Sequence, residues 1–279
     1  MKIIIIGSQG MLGQELARVY QNENPLLWSK SHIDISNKND VDKKINEVKP
    51  DIVFNAAAYN DVDAAEKNKD IAYAINAEGP GHLARAVCAA EGILVHYSTD
   101  YIFNGDEKRG YSEEDDPEPR SVYGKSKLLG EKNVIKYSDK YYIIRLSRLF
   151  GKSGIGGSAK TSFVDLMLGL AEKSEVIDAV DEELSNPTYA PDLAEQSREI
   201  VEGKFPFGIY HVSNRGACTW YEFTKEIFDI KGINVKLNAV AGSYFPRPAP
   251  RPKYSILLNT KLNPMRPWQA ALKEYLLSK

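Results

Sequence analysis

Ile3-Ile4-Ile5-Ile6-Gly7-Ser8-Gln9-Gly10-Met11-Leu12-Gly13-Gln14-Glu15-Leu16 is the stretch on which the fold turns. Residues 2–6 carry a continuous β-branched run, the pattern of a parallel strand buried on both faces. A Gly-x-x-Gly-x-x-Gly turn follows at Gly7, Gly10 and Gly13. Met11, Leu12, Leu16 and Val19 then recur at helical spacing. Glycines between a strand and a helix let the backbone approach a pyrophosphate, and the helix N–H groups and dipole favour its charge. In that context the turn predicts nucleotide binding, with Gly7, Gln9, Gly10, Met11, Leu12 and Gly13 as the contacting residues.

Outward from this turn, strand and helix alternate. Strands are expected at Leu26–Trp28, Asp51–Asn55, Ile93–Ser98 and Tyr141–Leu146. Helices are expected over 40–48, over 71–90 with an interruption at Gly79-Pro80-Gly81, and over 123–135. Such alternation implies an α/β fold, a doubly wound parallel Rossmann sheet with helices on both faces. Beyond Gly151 the rhythm breaks. Lys152 to Lys160 is rich in Gly and Ser and reads as a mobile loop. Helices at 162–173 and 192–202 and a short strand at 208–212 follow. Phe245 to Pro252 holds four prolines in eight residues and must be an extended loop. The expected division is a cofactor-binding domain over 1–150, with 187–215 returning to it. A smaller C-terminal substrate-binding lobe then comprises 151–186 and 216–279.

Composition narrows the function. The chain has 279 residues and a formal net charge of −2, which gives no electrostatic reason to expect nucleic-acid or membrane-surface binding. The two cysteines, Cys88 and Cys218, are too few for a disulfide framework and read as buried thiols. The four histidines show no metal-ligand spacing, so no metal is expected. No apolar run approaches the roughly 20 residues of a membrane span, and the N-terminal apolar stretch stops at Gly7. A cytoplasmic protein is expected.

The second strand bears on cofactor choice. A carboxylate at its end would hydrogen-bond the ribose hydroxyls of NAD and repel a 2′-phosphate. Here the strand ends Trp28-Ser29-Lys30. Ser29 can donate to phosphate and Lys30 can pair with it, which favours NADPH and leaves NADH possible. Asp34-Ile35 lies further on, with Asp34 either on the ribose or facing the adenine. Tyr123 and Lys127 are four residues apart and share a helix face, behind Ser98-Thr99-Asp100 at a strand end. An ammonium beside a phenol lowers its pKa and makes it a proton donor and acceptor. Thr99 can orient a substrate oxygen beside it.

Gly7/Gly10/Gly13, Asn55-Ala-Ala-Ala58, Val62-Asp63-x-x-Glu66, Asn76, Ser98-Thr-Asp100 and Tyr123-x-x-x-Lys127 together resemble the extended short-chain dehydrogenase/reductases. His96–Phe103, Val122–Leu128, Asn186-Pro-Thr188 and Arg251-Pro…Leu258-Asn-Thr260 narrow the resemblance to the dTDP-4-dehydrorhamnose reductases. The resemblance implies NADPH-dependent reduction of the C4 keto group of a nucleotide-linked 6-deoxy-4-ketosugar, in the first place dTDP-4-dehydrorhamnose to dTDP-L-rhamnose. Alternatives are a reductase or epimerase of another nucleotide sugar, or a non-catalytic NADP-binding regulatory subunit similar to the methionine adenosyltransferase β subunit. By resemblance, Tyr123 is the general acid, Lys127 holds the nicotinamide ribose, and Thr99 hydrogen-bonds the carbonyl. Ala56, Ala57 and Ala58 lie against the cofactor, and Asn76 supports the central strands. Asn60, Val62 and Tyr101 line the sugar, and Arg251 meets a nucleotide phosphate. Arg148 stands where the family commonly has a tryptophan over the sugar, and an arginine there can contact phosphate or sugar. Glu15 matches one glutamate of a magnesium-bridged dimer, but Pro191 stands where another is wanted. Monomer and homodimer both stay open, without a bridging metal. The sugar nucleotide is expected between the lobes, above Thr99 and Tyr123, with the 151–160 or 245–252 loop ordering on binding.

Replacing Lys30 with Ala is expected to raise KM for NADPH several-fold and leave KM for NADH little changed, as steady-state kinetics with the two cofactors will read.

Overall fold

The computed structural model describes residues 1–155 and 161–279 of the chain. The first strand, β1 (Ile3–Ile6), is buried along its whole length. Ile3 and Ile5 enter the core on one face of the sheet, Ile4 and Ile6 the core on the other. That two-sided burial is why four consecutive isoleucines suit the strand. Helix α1 (Met11–Val19) follows the glycine turn and lays Leu12, Leu16 and Val19 on the first face. Next come β2 (Leu26–Trp28), α2 (Lys38–Val48) and β3 (Ile52–Asn55). Asn37 caps α2 by accepting from the N–H groups of Asn39 and Asp40.

Two short helices, α3 (Val62–Lys67) and α4 (Lys69–Tyr73), lead through a π-helical turn at Ala74–Glu78 into α5 (Gly79–Ala89). The expected break at Gly79-Pro80-Gly81 is therefore displaced. Pro80 sits within the first turn of α5, where its missing N–H is tolerated, and the irregularity falls just before it. Cys88 is exposed on α5 rather than buried, because it lies at the flank of the buried stripe of Leu83, Ala84 and Val87. Cys218 is buried as expected.

Then follow β4 (Ile93–Thr99), α6 (Val122–Tyr137) and β5 (Tyr141–Leu146). The short strands β6 (Leu149–Phe150) and β8 (Thr188–Tyr189) pair with each other. Between them lie α7 (Phe163–Ala171) and β7 (Val176–Val180). After them come α8 (Ala190–Glu202), β9 (Gly208–His211), α9 (Trp220–Lys231), β10 (Lys236–Val240) and α10 (Trp268–Leu277). The main sheet runs β2-β1-β3-β4-β5-β9, all neighbours parallel. Its sixth strand is β9, from the second half of the chain.

A separate apolar core joins Phe150, Val164, Met167, Phe223, Ile227, Trp268 and Leu272. It belongs to α7, α9 and α10 together with the parallel pair β7–β10. The sequence reading foresaw α7 but not α9, α10 or this pair. The 249–258 segment ties this part to the sheet's carboxyl edge. Ser255 Oγ donates to Asp100 just beyond β4 at 2.6 Å, and Leu257 N donates to Asn186 at 2.8 Å. Of the glycine-rich loop expected to be mobile, residues 156–160 lie outside the described residues. Among the described residues no helix is long and apolar enough to cross a membrane.

Helix α6 docks on the π-helical turn through Gly130. A Cβ there would lie 2.1 Å from the Asn76 carbonyl oxygen, whereas one at Gly169 on α7 meets nothing within 4 Å. Gly130→Ala is expected to lower stability by about 1–3 kcal/mol. Gly169→Ala is expected to be neutral or to raise it by up to about 1 kcal/mol. Urea melts of the two variants read the contrast.

Candidate active site

The chain passes from β1 to β2 on one side and then to β3 on the other, so the strand order reverses between β1 and β3. The carboxyl ends at such a reversal form the ligand crevice of an open parallel sheet. Gly7–Gly13 and Ala56–Ala58 flank it. Gly7 has φ +79°, and a Cβ there would stand 2.7 Å from the Ala57 nitrogen. A Cβ at Gly13 would stand 2.2 Å from the Gly7 oxygen. These two glycines close the turn. Gly10 differs: a Cβ there meets only the Gly7 oxygen at 3.3 Å and otherwise points into open space. Helix α1 starts at Gly10 without a side-chain cap or an acidic residue in its first turn. Its N–H groups face an accessible cradle that suits a pyrophosphate.

At the end of β2 the residues form a knot of donors. Ser29 Oγ lies 2.8 Å from Ser31 Oγ and 2.9 Å from His32 Nδ1. The Ser29 N–H donates to the same Nδ1 at 3.2 Å, so Nδ1 is the acceptor and the imidazole proton sits on Nε2. Lys30 is exposed beside them. His32 and Ser31 were missing from the sequence reading, although their place beside Ser29 was a signal. Asp34 turns away from this knot. Its Oδ1 accepts from Ser36 N at 3.0 Å and Ser36 Oγ at 2.6 Å, in the turn before α2. The Ile35 side chain lies in the core against Gly79, while its carbonyl meets His82 Nδ1 at 3.1 Å.

Thr99, Tyr101, Tyr123 and Lys127 are brought together by β4, the turn after it and α6. Ser121 caps α6 by accepting from Gly124 N at 3.1 Å, and Glu66 accepts from Val122 N at 2.8 Å. The Tyr101 and Tyr123 rings meet edge to face, 5.8 Å between centroids. Burial pushes the Tyr123 phenol up to about 12, and the Thr99 hydroxyl facing it pulls the other way. The Lys127 ammonium turns to the backbone. Its Nζ donates to the Tyr97 carbonyl at 2.5 Å, and burial lowers its pKa to about 8. A phenol that keeps its proton at neutral pH is a proton donor in waiting. Beneath lies His96, buried and held neutral by desolvation, with Nδ1 3.2 Å from Asn55 Nδ2. Asn76 holds the strand-end loop rather than the central strands. It accepts from Tyr59 N at 2.8 Å and donates to Tyr59 O at 2.9 Å and Ser126 Oγ at 3.0 Å.

The residues expected at the sugar divide. Val62 opens α3, half-buried, and Asn60 is exposed two residues before it. Arg251 Nη2 pairs with Asp63 at 2.6 Å, its Nη1 donates to Ala249 O at 3.0 Å, and its guanidinium carbon lies 6.0 Å from the Tyr101 ring centroid. Arg251 and Asp63 thus join the proline-rich loop to α3. Arg148 is held in the left-handed region, φ +41°. It donates to the carbonyls of Cys218 at 2.7 Å and Glu183 at 2.5 Å and stacks on Trp220 at 4.0 Å. Arg251, Arg247 and Lys253 line a cavity of about 330 Å³ with Glu182 and Glu183. Among the described residues no group of three or more His, Cys, Asp or Glu could hold a metal ion.

Sheet, glycine cradle and the Thr99–Tyr123–Lys127 group define a Rossmann-type dehydrogenase/reductase. The chain belongs to the family described as the RmlD substrate binding domain, whose model matches residues 1–278. It is 38% identical to a dTDP-4-dehydrorhamnose reductase of Clostridium acetobutylicum, with a TM-score of 0.94 and 100% of each chain covered. A dTDP-4-dehydrorhamnose reductase of Bacillus anthracis in complex with NADP is 36% identical, again with a TM-score of 0.94 and 100% of each chain covered. The spore coat polysaccharide biosynthesis protein SpsK of Bacillus subtilis is 36% identical over 99% of this chain and 96% of its own length.

Because the Lys127 amine is held near 8 when folded and returns to about 10.5 when unfolded, the unfolded chain binds the extra proton between these values. This contribution to stability rises with pH across that window. Urea melts from pH 8 to pH 10 are expected to show the rise in the wild type relative to Lys127→Met, which lacks it.

Proposed function

We propose that the protein is an NADPH-dependent reductase of a nucleotide-linked 4-keto-6-deoxysugar, in the first place dTDP-4-dehydrorhamnose. The observation that carries this reading is the half-buried Tyr123, its phenol pushed up to about 12, beside Thr99 and Lys127 at the sheet edge that holds the glycine cradle. Two relatives named dTDP-4-dehydrorhamnose reductase match the chain end to end and support the substrate class.

The residues present fit the cofactor. The N–H groups at the start of α1 and the open space at Gly10 suit its pyrophosphate. Ser29, Lys30, Ser31 and the Nε2–H of His32 suit a 2′-phosphate, and no carboxylate of β2 opposes it. When bound, NADPH supplies the hydride. The chain supplies orientation and the proton. Tyr123 gives its phenolic proton to the C4 oxygen as negative charge develops there. Lys127 would hold the nicotinamide ribose, and its charge beside the phenol would steady the phenolate that remains. Thr99 fixes the position of the carbonyl oxygen. Residues 1–150 with 187–215 form the cofactor-binding part on this reading, and 151–186 with 216–279 the lobe that covers the sugar. Arg251 then answers a ligand phosphate by leaving Asp63, and Arg148 borders the sugar through the Trp220 stack. The protein acts as a monomer or homodimer, free in the cytoplasm.

With dTDP-4-dehydrorhamnose the protein is expected to oxidise NADPH in a 1:1 ratio to sugar reduced. Tyr123→Phe is expected to bind NADPH nearly as well and to turn over about 10²–10⁴-fold more slowly. Catalytic rather than stoichiometric use of the cofactor marks an epimerase and rejects the reading, as does full turnover by the variant.

A further inference from the structure

Asp100 lies directly behind the reacting side chains. It follows Thr99 at the end of β4 and is almost fully buried. Its Oδ1 accepts from Thr99 Oγ1 at 3.0 Å, and its Oδ2 accepts from Ser255 Oγ at 2.6 Å. Thr99 Oγ1 in turn accepts from Tyr101 N at 3.2 Å. A hydroxyl has one hydrogen and two lone pairs. While Asp100 is ionised, the Thr99 hydrogen is committed to it, and Thr99 has none for a substrate oxygen. Only a second lone pair of Thr99 is then left uncommitted. A proton on Asp100 Oδ1 reverses the bond. Asp100 and Tyr101 N then fill both lone pairs, and the Thr99 hydrogen points toward the substrate.

We propose that Asp100 is a positioning residue that sets the direction of the Thr99 hydrogen bond, its protonated carboxyl being the form in which Thr99 and Tyr123 both donate to the keto oxygen. The inference rests on the reductase reading. Its only chemical event is uptake of one proton from solvent by the carboxylate, and no electrons move.

The surroundings make the protonated form accessible. Burial raises the Asp100 carboxyl to about 6, against the opposing pull of Ser255, Thr99 and Arg148. The groups that face it are Tyr101 on its own turn, Tyr123 from α6, Arg148 beyond β5 and Ser255 from the 249–258 segment. Arg251 and Glu183 act on Tyr101 from the far side. Arg148 is the cation that acts on the carboxylate, and it is itself hydrogen-bonded to two backbone carbonyls.

The test is the pH profile of kcat with NADPH and dTDP-4-dehydrorhamnose, read beside the infrared C=O band of the protonated carboxyl in the substrate-free protein. Wild-type kcat is expected to fall about tenfold or more between pH 6 and pH 8, as the active form is lost. Asp100→Asn places an amide donor toward Thr99 and an oxygen toward Ser255, mimicking the protonated acid. Its ratio of kcat at pH 6 to pH 8 is expected to drop to about one. Ser255→Ala removes a donor to the ionised form, so its limb should move to higher pH. A carboxyl band that grows as pH falls through about 6, and is missing from Asp100→Asn, supports the assignment without any turnover. An Asp100→Asn profile that keeps the wild-type limb overturns it. So does an unmoved limb in Ser255→Ala, or a carboxyl band indifferent to Asp100→Asn. Should Asp100→Asn fold poorly, Ser255→Ala and the wild-type band still decide. If no 4-keto sugar turns over, the reductase reading fails, and the infrared titration alone reports on the carboxyl.

Discussion

Helix α6 brings Tyr123 and Lys127 to the sheet edge only because Gly130 lets it lie against the Asn76 carbonyl. A side chain at that point would stand the helix away from the turn and lift both residues from β4. The turn itself is shaped by Pro80, which cannot supply an N–H to the preceding coil, so the backbone there widens to a π-helical pitch. The same Asn76 then clamps both backbone groups of Tyr59 with its side chain. One irregular turn thus fixes the helix with the proton donor and the loop that flanks the cofactor crevice. Irregular backbone at a functional position is the usual place for such a device.

A second tie runs deeper. Arg145 on β5 and Glu131 on α6 form an ion pair with almost no exposure on either side, 2.7 Å apart. His211 on β9 lies 3.4 Å from the same guanidinium and contacts the Leu258 carbonyl through its other ring nitrogen. Burial holds His211 near 4, so it stays neutral beside the cation. Glu113 accepts from the His211 backbone and from Thr260. The Leu258-Asn-Thr260 stretch, met first as a pattern in the sequence, is therefore the seam that holds the chain's last third to the sheet. Buried charge of this kind adds little net stability, but loss of one partner would leave an uncompensated ion in the core.

The parts of the molecule that follow from local rules were legible. Four isoleucines, a glycine turn and an amphipathic helix can hardly be read otherwise, and the Tyr123–Lys127 spacing needs only a helix to acquire meaning. What escaped the reading depends on distant partners. Strands β7 and β10 pair residues 60 apart in the chain, and each alone is too short to announce itself. Helix α9 carries a Thr219/Glu222 capping box that could have been found, since that pattern is a local signal. Cys88 was misjudged because apolar neighbours in sequence are not neighbours in space on a helix. The Tyr123–Lys127 pair was foreseen as a pair, but its electrostatics were not. Burial raises the phenol, and the ammonium turns to a backbone carbonyl. The partners of Arg148 and Arg251 likewise lie far off in the chain, where no pattern in the sequence brings them together.

The sheet's last strand has a consequence for synthesis. Residues of β5 pair with β9, which leaves the ribosome roughly 60 residues later. At about 5–20 residues per second, the outer edge of β5 stays bare for several seconds while the chain emerges. A bare parallel edge invites pairing with another nascent chain. Arg145 sits on that edge strand, opposite the place His211 will take. Its guanidinium pairs with Glu131 of α6, which is made before β5, so a charge is already placed on the strand whose edge is unfinished. An inward charge on a bare strand disfavours pairing with a stranger, so the pair that ties the finished molecule together also bears on the order in which it is made.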